Sequence, residues 1–256
     1  MKKTCALTIL VLAAASGMTD ASAQEARGLP SGADILERYV EATGGRAAYE
    51  KFTNQVSTGT IEIVGANIKG KIVLTQAAPG RMLNLTDIPG VGKSVQGTDG
   101  RVAWEDTTIG GQRVLQGEEA ETFRSGALFN AEIRWKDQYV KAQCLGIEDV
   151  EGKPAYKVEL NRAFGKPVIA YYDVKSHLLT RQTVINSTSM GEMKIDVYPV
   201  DYRKIDGVLM PLGARQKLLG QEFLISFTDV KHNVALSPES FSPPKSLAER
   251  PGKASK

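Results

Sequence analysis

The chain has 256 residues, and 32 lysines and arginines against 29 aspartates and glutamates leave a formal net charge of +3 at pH 7. The basic residues are scattered among acidic ones, which excludes the basic stripe of a nucleic-acid binder. The length is enough to bury a full core, so the two cysteines are not needed as staples.

Lys2 and Lys3 precede an apolar stretch over 6–15 that is too short to span a bilayer. Ala21-Ser22-Ala23 then fits a small-residue cleavage site. Residues 1–23 therefore read as a cleaved signal peptide, leaving Gln24 as the new N-terminus of an exported, soluble, periplasmic protein. Cys5 lies before the apolar stretch, out of place for lipoprotein acylation. Cys144 is then the only mature cysteine, in an apolar strand context that predicts a buried, inert thiol.

Ser31 with Asp34 three residues on forms a capping box, and Ile35, Leu36, Tyr39 and Val40 follow at amphipathic spacing. Gly44-Gly45 ends that helix, and 46–52 gives a further short turn or two. A second helical segment runs over 118–135, weakened at Gly126 and so divisible into two short helices.

Nearly everything else alternates like strands. The segments are 60–64, 68–75, 81–86, 101–105, 139–150, 155–161, 168–174, 178–186, 193–205, 208–219 and 223–230, about eleven in all. Asp206-Gly207 is the turn chemistry of a two-residue hairpin, with similar signals at Asp99-Gly100 and Glu151-Gly152. The fold class is mainly β with some α: a strongly curved antiparallel sheet or incomplete β-barrel, with helices covering its concave side. Residues 24–244 form a single domain bounded by the proline-rich 238–244. The polar segment 245–256 reads as a disordered tail.

Catalytic signatures are missing. His177 sits in a hairpin turn and His232 after a terminal strand, neither with the spacing a zinc site needs. The 92–97 stretch is one residue too long for a nucleophile elbow, and 90–94 lacks the spacing of a phosphate loop, so both read as turn. No catalytic residue, metal or cofactor is assigned, and the chain reads as a non-enzyme. An enzymatic role would require His177, His232 or a carboxylate pair to converge in a cleft.

The apolar side is richer. Leu83 and Leu85 share one strand face, Trp104 shares another with Val102, and Phe223, Ile225 and Phe227 form a third stripe. Phe123, Leu128, Phe129 and Trp135 belong to the second helical segment. These residues are either ordinary core or the lining of a pocket for an acyl chain.

Three motifs carry a resemblance to a known family. They are Ile35-Leu-Glu-Arg-Tyr-Val-Glu-Ala-Thr-Gly-Gly45, Tyr202-Arg-Lys-Ile-Asp-Gly-Val-Leu-Met-Pro211, and Asp229-Val-Lys-His-Asn233 with Phe241-Ser-Pro243. Over roughly 31–244 the chain resembles the LolA/LolB-like superfamily of outer-membrane lipoprotein-sorting proteins. The resemblance implies an incomplete antiparallel barrel plugged by helices, with an interior that receives a lipid or lipoprotein acyl chain. It also implies a possible envelope or outer-membrane partner protein. Arg81 compares with that family's inward arginine by its location on an early strand alone. The expectation is a lipid carrier or chaperone; the alternative is an envelope sensor or interaction module whose interior is solid.

Overall fold

The computed structural model describes residues 28–188 and 191–248. The expected signal peptide lies outside them. Thirteen strands form one antiparallel sheet: β1 (Asn54–Ile63), β2 (Ile68–Ala77), β3 (Arg81–Ile88), β4 (Gly92–Thr98), β5 (Ala103–Thr107), β6 (Gly111–Val114), β7 (Tyr139–Val150), β8 (Lys153–Arg162), β9 (Val168–Asp173), β10 (Leu179–Thr188), β11 (Gly191–Ile205), β12 (Val208–Leu218) and β13 (Gln221–His232). Their order is β6-β5-β4-β3-β2-β1-β13-β12-β11-β10-β9-β8-β7. Two meanders thus meet where β1 pairs with β13, and β6 and β7 are the free edges.

The turns follow from sequence. Asp206 and Gly207 have φ of 48° and 99°, and Glu151 and Gly152 have 53° and 83°, as a primed hairpin turn demands. At Asp99-Gly100 only the glycine has positive φ. There Asp99 Oδ1 instead accepts from the backbone N–H groups of Arg101 and Val102, both at 2.8 Å.

The sheet bends because bulges interrupt its register, at Thr58/Gly59 against β13 and at Cys144/Gly146 against β8. At Gly59 a Cβ would overlap the carbonyl oxygen of Ser226, so that curvature requires glycine.

Helices lie against the concave side. They are α1 (Gly32–Ala42), α2 (Arg46–Tyr49), α3 (Gly117–Gly126) and α4 (Trp135–Gln138). The capping box forms as expected, with the Ser31 hydroxyl accepting from the Asp34 N–H at 3.0 Å. Ile35, Leu36 and Tyr39 of α1 pack on Cys144, Val158, Leu160 and Tyr172 of β7–β9, together with Trp135. This part of the concave side is solid. The connection from β6 to β7 carries α3 across the concave side, where it contacts β5 and β10, and brings α4 against β7.

One expectation is refined and another corrected. The strands number thirteen, because glycine-rich β4 and four-residue β6 lack an apolar alternation to announce them. The segment after Pro244 begins as a helical turn, α5 (Lys245–Ala248), with Leu247 buried. A 3-10 turn (Pro238–Phe241) precedes it and buries Phe241 completely against the outer face of the sheet. An apolar leucine and phenylalanine dock there, so this stretch is a strap as far as Ala248.

Candidate functional site: a hollow on the concave face

Cross-strand partners in register point to the same side of a sheet. Met82, Gln96 and Glu105 of β3–β5, and Val184, Ile195 and Leu218 of β10–β12, line one hollow of about 700 Å3. That volume is in the range of ligand pockets. These positions define the inner face, and α3 with 125–139 closes it from the opposite side. A smaller chamber of about 290 Å3 lies beside it. Gly126 and Ala131 line both, so the two spaces meet at the 126–131 segment.

The hollow is mixed in chemistry. Phe123, Val184, Met193, Ile195 and Leu218 supply apolar surface, but Gln96, Gln182, Asn186 and Arg162 also face it. The lining thus alternates apolar patches with amide groups and the charged Glu105, Glu119 and Arg162.

Helix α3 is held across the opening by two kinds of contact. Its Ala120 and Phe123 pack on Ala103 and Leu115. Arg113 joins Glu105 of β5 at 2.6 Å and Glu119 of α3 at 2.6 and 2.7 Å. The bonds from Glu119, then those from Glu105, outweigh desolvation and hold Arg113 firmly charged. The helix has no side-chain N-cap, so these contacts carry its docking.

The smaller chamber brings together groups far apart in sequence. Tyr39, Tyr49, Phe52 and Phe129 give it aromatic walls, and Glu132 and His232 are its titratable groups besides the tyrosines. Burial raises the Glu132 carboxyl above its ordinary range. Glu132 is part-exposed and lines the chamber. The His232 side chain is 3 % exposed. Its Nδ1 lies 2.8 Å from Asp206 Oδ2, its Nε2 lies 3.1 Å from Gln55 Oε1, and its ring stacks on Phe52 at 3.8 Å. His177 lies in the 173–178 turn beside the outer side of α1, against a separate surface depression. Among the described residues, no three His, Cys, Asp or Glu side chains gather as a metal site.

The ten residues singled out from sequence separate into four groups. Phe123 lines the large hollow, and Leu128 and Phe129 line the small chamber. Phe223, Ile225 and Phe227 pair with Ile63, Ile61 and Gly59, which places them on the same inner face as His232. They are part-exposed there. Leu83 and Leu85 point the other way, because it is their neighbours Met82 and Asn84 that share the inner face with Gln96.

Trp104 is also on the outer face. Its indole lies over Gly97 and donates to the Phe241 carbonyl at 3.2 Å. Trp135 is inward but buried in the solid cluster with α1, its Nε1 donating to Glu37 at 3.2 Å. Four of the ten are therefore corrected as cavity walls: Leu83, Leu85 and Trp104 by strand parity, Trp135 by close packing. Arg81 faces outward too, with its guanidinium 5.3 Å from the Phe241 ring.

Sequence reasoning passed over Glu132, His232 as an interior group, and the inward amides Gln96, Gln182 and Asn186. Strand parity from Phe223 to Phe227 would have put His232 outward, and only the bulge opposite Thr58 and Gly59 turns it inward; the others needed the tertiary fold.

No protein-family model and no curated protein sequence matches the chain. Solved structures do. A DUF1329 family protein from Desulfovibrio piger superposes with a TM-score of 0.54 at 16% identity, covering 83% of this chain and 97% of that one. A LolA superfamily protein from Nitrosomonas europaea gives a TM-score of 0.56 at 14% identity, covering 85% and 100%. An outer-membrane lipoprotein-sorting protein domain from Vibrio parahaemolyticus gives 0.52 at 11% identity, covering 80% and 95%. The chain has the fold that these LolA superfamily and lipoprotein-sorting structures share, an open, curved antiparallel sheet with helices in its hollow.

Proposed function

We propose that the protein is a non-catalytic periplasmic carrier or binding protein for a lipid or lipidated protein, and that it seats an apolar chain in the large hollow. In this reading residues 1–23 are removed on export, the remaining chain acts as one domain, and an envelope or outer-membrane partner receives the cargo. The observation that carries it is the apolar lining of that hollow by Phe123, Val184, Met193, Ile195 and Leu218, continued on the same face by the part-exposed Phe223, Ile225 and Phe227. A curved sheet that keeps such side chains open has unspent hydrophobic surface. Burying ten methylenes there is worth about 8 kcal/mol before association costs. The net affinity is then modest, which suits a protein that must release what it binds.

The likeness to lipoprotein-sorting structures supports the architecture of this reading. No helix among the described residues is long and apolar enough to cross a membrane. Titration with N-phenyl-1-naphthylamine, an apolar dye that brightens on leaving water, tests the proposal. Dye uptake that a long-chain lipid reverses is expected. A protein that stays dark at saturating dye has no such site.

A further inference from the structure

Glu132 stands out in the smaller chamber. Among the described residues no ion pair and no side chain of another residue answers its carboxyl, which has only its own backbone N–H, and the chamber lining contains no lysine or arginine. An unpaired carboxylate within a protein interior is costly to maintain. The segment that carries it is nevertheless pinned on both sides. Asn130 donates to the Tyr49 carbonyl at 3.0 Å, and the Ile133 carbonyl accepts from Arg46 at 2.6 Å.

The carboxylate shares its chamber with aromatic rings. Tyr39, Tyr49, Phe52 and Phe129 line the same chamber as the carboxylate, and after burial its charge is among the causes that raise the hydroxyls of Tyr39 and Tyr49. His232 does not compensate it, because both imidazole nitrogens already face Asp206 and Gln55. Carboxylate and ring faces together are the chemistry that recognises an ammonium group.

We infer that the chamber around Glu132 binds a cationic amine group, with Glu132 as its counter-ion and Tyr39, Tyr49 and Phe129 as its aromatic walls. The chamber meets the large hollow at Gly126 and Ala131. An amine head held here can therefore send an attached apolar chain into the hollow; that extension alone rests on the carrier reading.

The test is calorimetric titration with n-octylammonium and n-octanol, which share a chain and differ in head charge. The wild type should prefer octylammonium by about tenfold or more. Glu132→Gln should lose that preference with octanol affinity unchanged, and Glu132→Asp should keep it. Equal affinity for both probes, or a preference that survives in Glu132→Gln, overturns the inference. Contacts between the probe's α-methylene and the Tyr49 and Phe129 rings, read by NMR in the wild type, need no variant to fold, and a head located elsewhere also overturns it. If N-phenyl-1-naphthylamine binds but octylammonium does not, the amine site falls and the carrier reading stands. If neither binds, both fall.

Discussion

A carboxylate placed on one face of the sheet and then on the other separates a working hollow from a decorated surface. Ile195 pairs with Val184 and Leu218, and all three line the large hollow. Leu85 lies on the outer face and is 40% exposed. Ile195→Glu removes the contact of a branched apolar side chain with the cargo, worth roughly 2 kcal/mol. It also obliges the new carboxylate to lose water against that cargo, a further penalty of about 1 kcal/mol or more.

Their sum is about 3 kcal/mol, or on the order of 100-fold in Kd for the apolar dye. Ile195 is part-exposed in the free protein, so unfolding should shift by no more than about 1 kcal/mol. Leu85→Glu should leave both dye affinity and stability within about 0.5 kcal/mol of wild type. Fluorescence titration and thermal melts of the two variants read these quantities. Equal affinities for Ile195→Glu and wild type, or a loss confined to Leu85→Glu, would refute the assignment of the inner face.

Further outcomes follow from other contacts. Phe241→Ala empties a fully buried site and should cost roughly 3–5 kcal/mol, lowering Tm by about 6–20 °C, while any folded fraction keeps its dye affinity. Arg113→Met removes the bridge between β5 and α3; amides of α3 should exchange faster in deuterium-exchange measurements by about tenfold, and dye release should quicken. Glu132 gives a pH dependence. Its folded pKa is raised, so it destabilises nothing below the ordinary glutamate value of about 4.3 and increasingly opposes folding as pH climbs through the raised value. Melts of Glu132→Gln and wild type should therefore coincide at low pH, and the variant should be the more stable at neutral pH; the reverse order would contradict a crowded, unpaired carboxylate.

Much of this architecture was legible in the chain itself. Ser31 and Asp34 announced the start of α1, Gly44-Gly45 its end, and Asp206-Gly207 the long β11–β12 hairpin. These signals are local, fixed by backbone conformations that few residues tolerate. Strand faces were harder. Parity within β13 put Phe223, Ile225 and Phe227 together correctly, but nothing in β3 told Leu83 and Leu85 from Met82 and Asn84. The inner face of β3 borders the hollow and its outer face meets the Phe241 strap while leaving Leu85 40% exposed, so apolar residues occur on each side. Trp104 misled for the same reason. Glu132 looked like one acid among many until the fold put it in one chamber with Tyr39 of α1 and Tyr49 of α2.

The central claim is that the hollow holds an apolar chain, and native mass spectrometry of protein taken gently from the cell envelope meets it head on. The wild type should carry an added mass whose fragments include an alkyl or acyl chain, and Ile195→Glu prepared in parallel should be bare. A wild type that flies as the bare polypeptide, from envelopes where its cargo is present, would contradict the account.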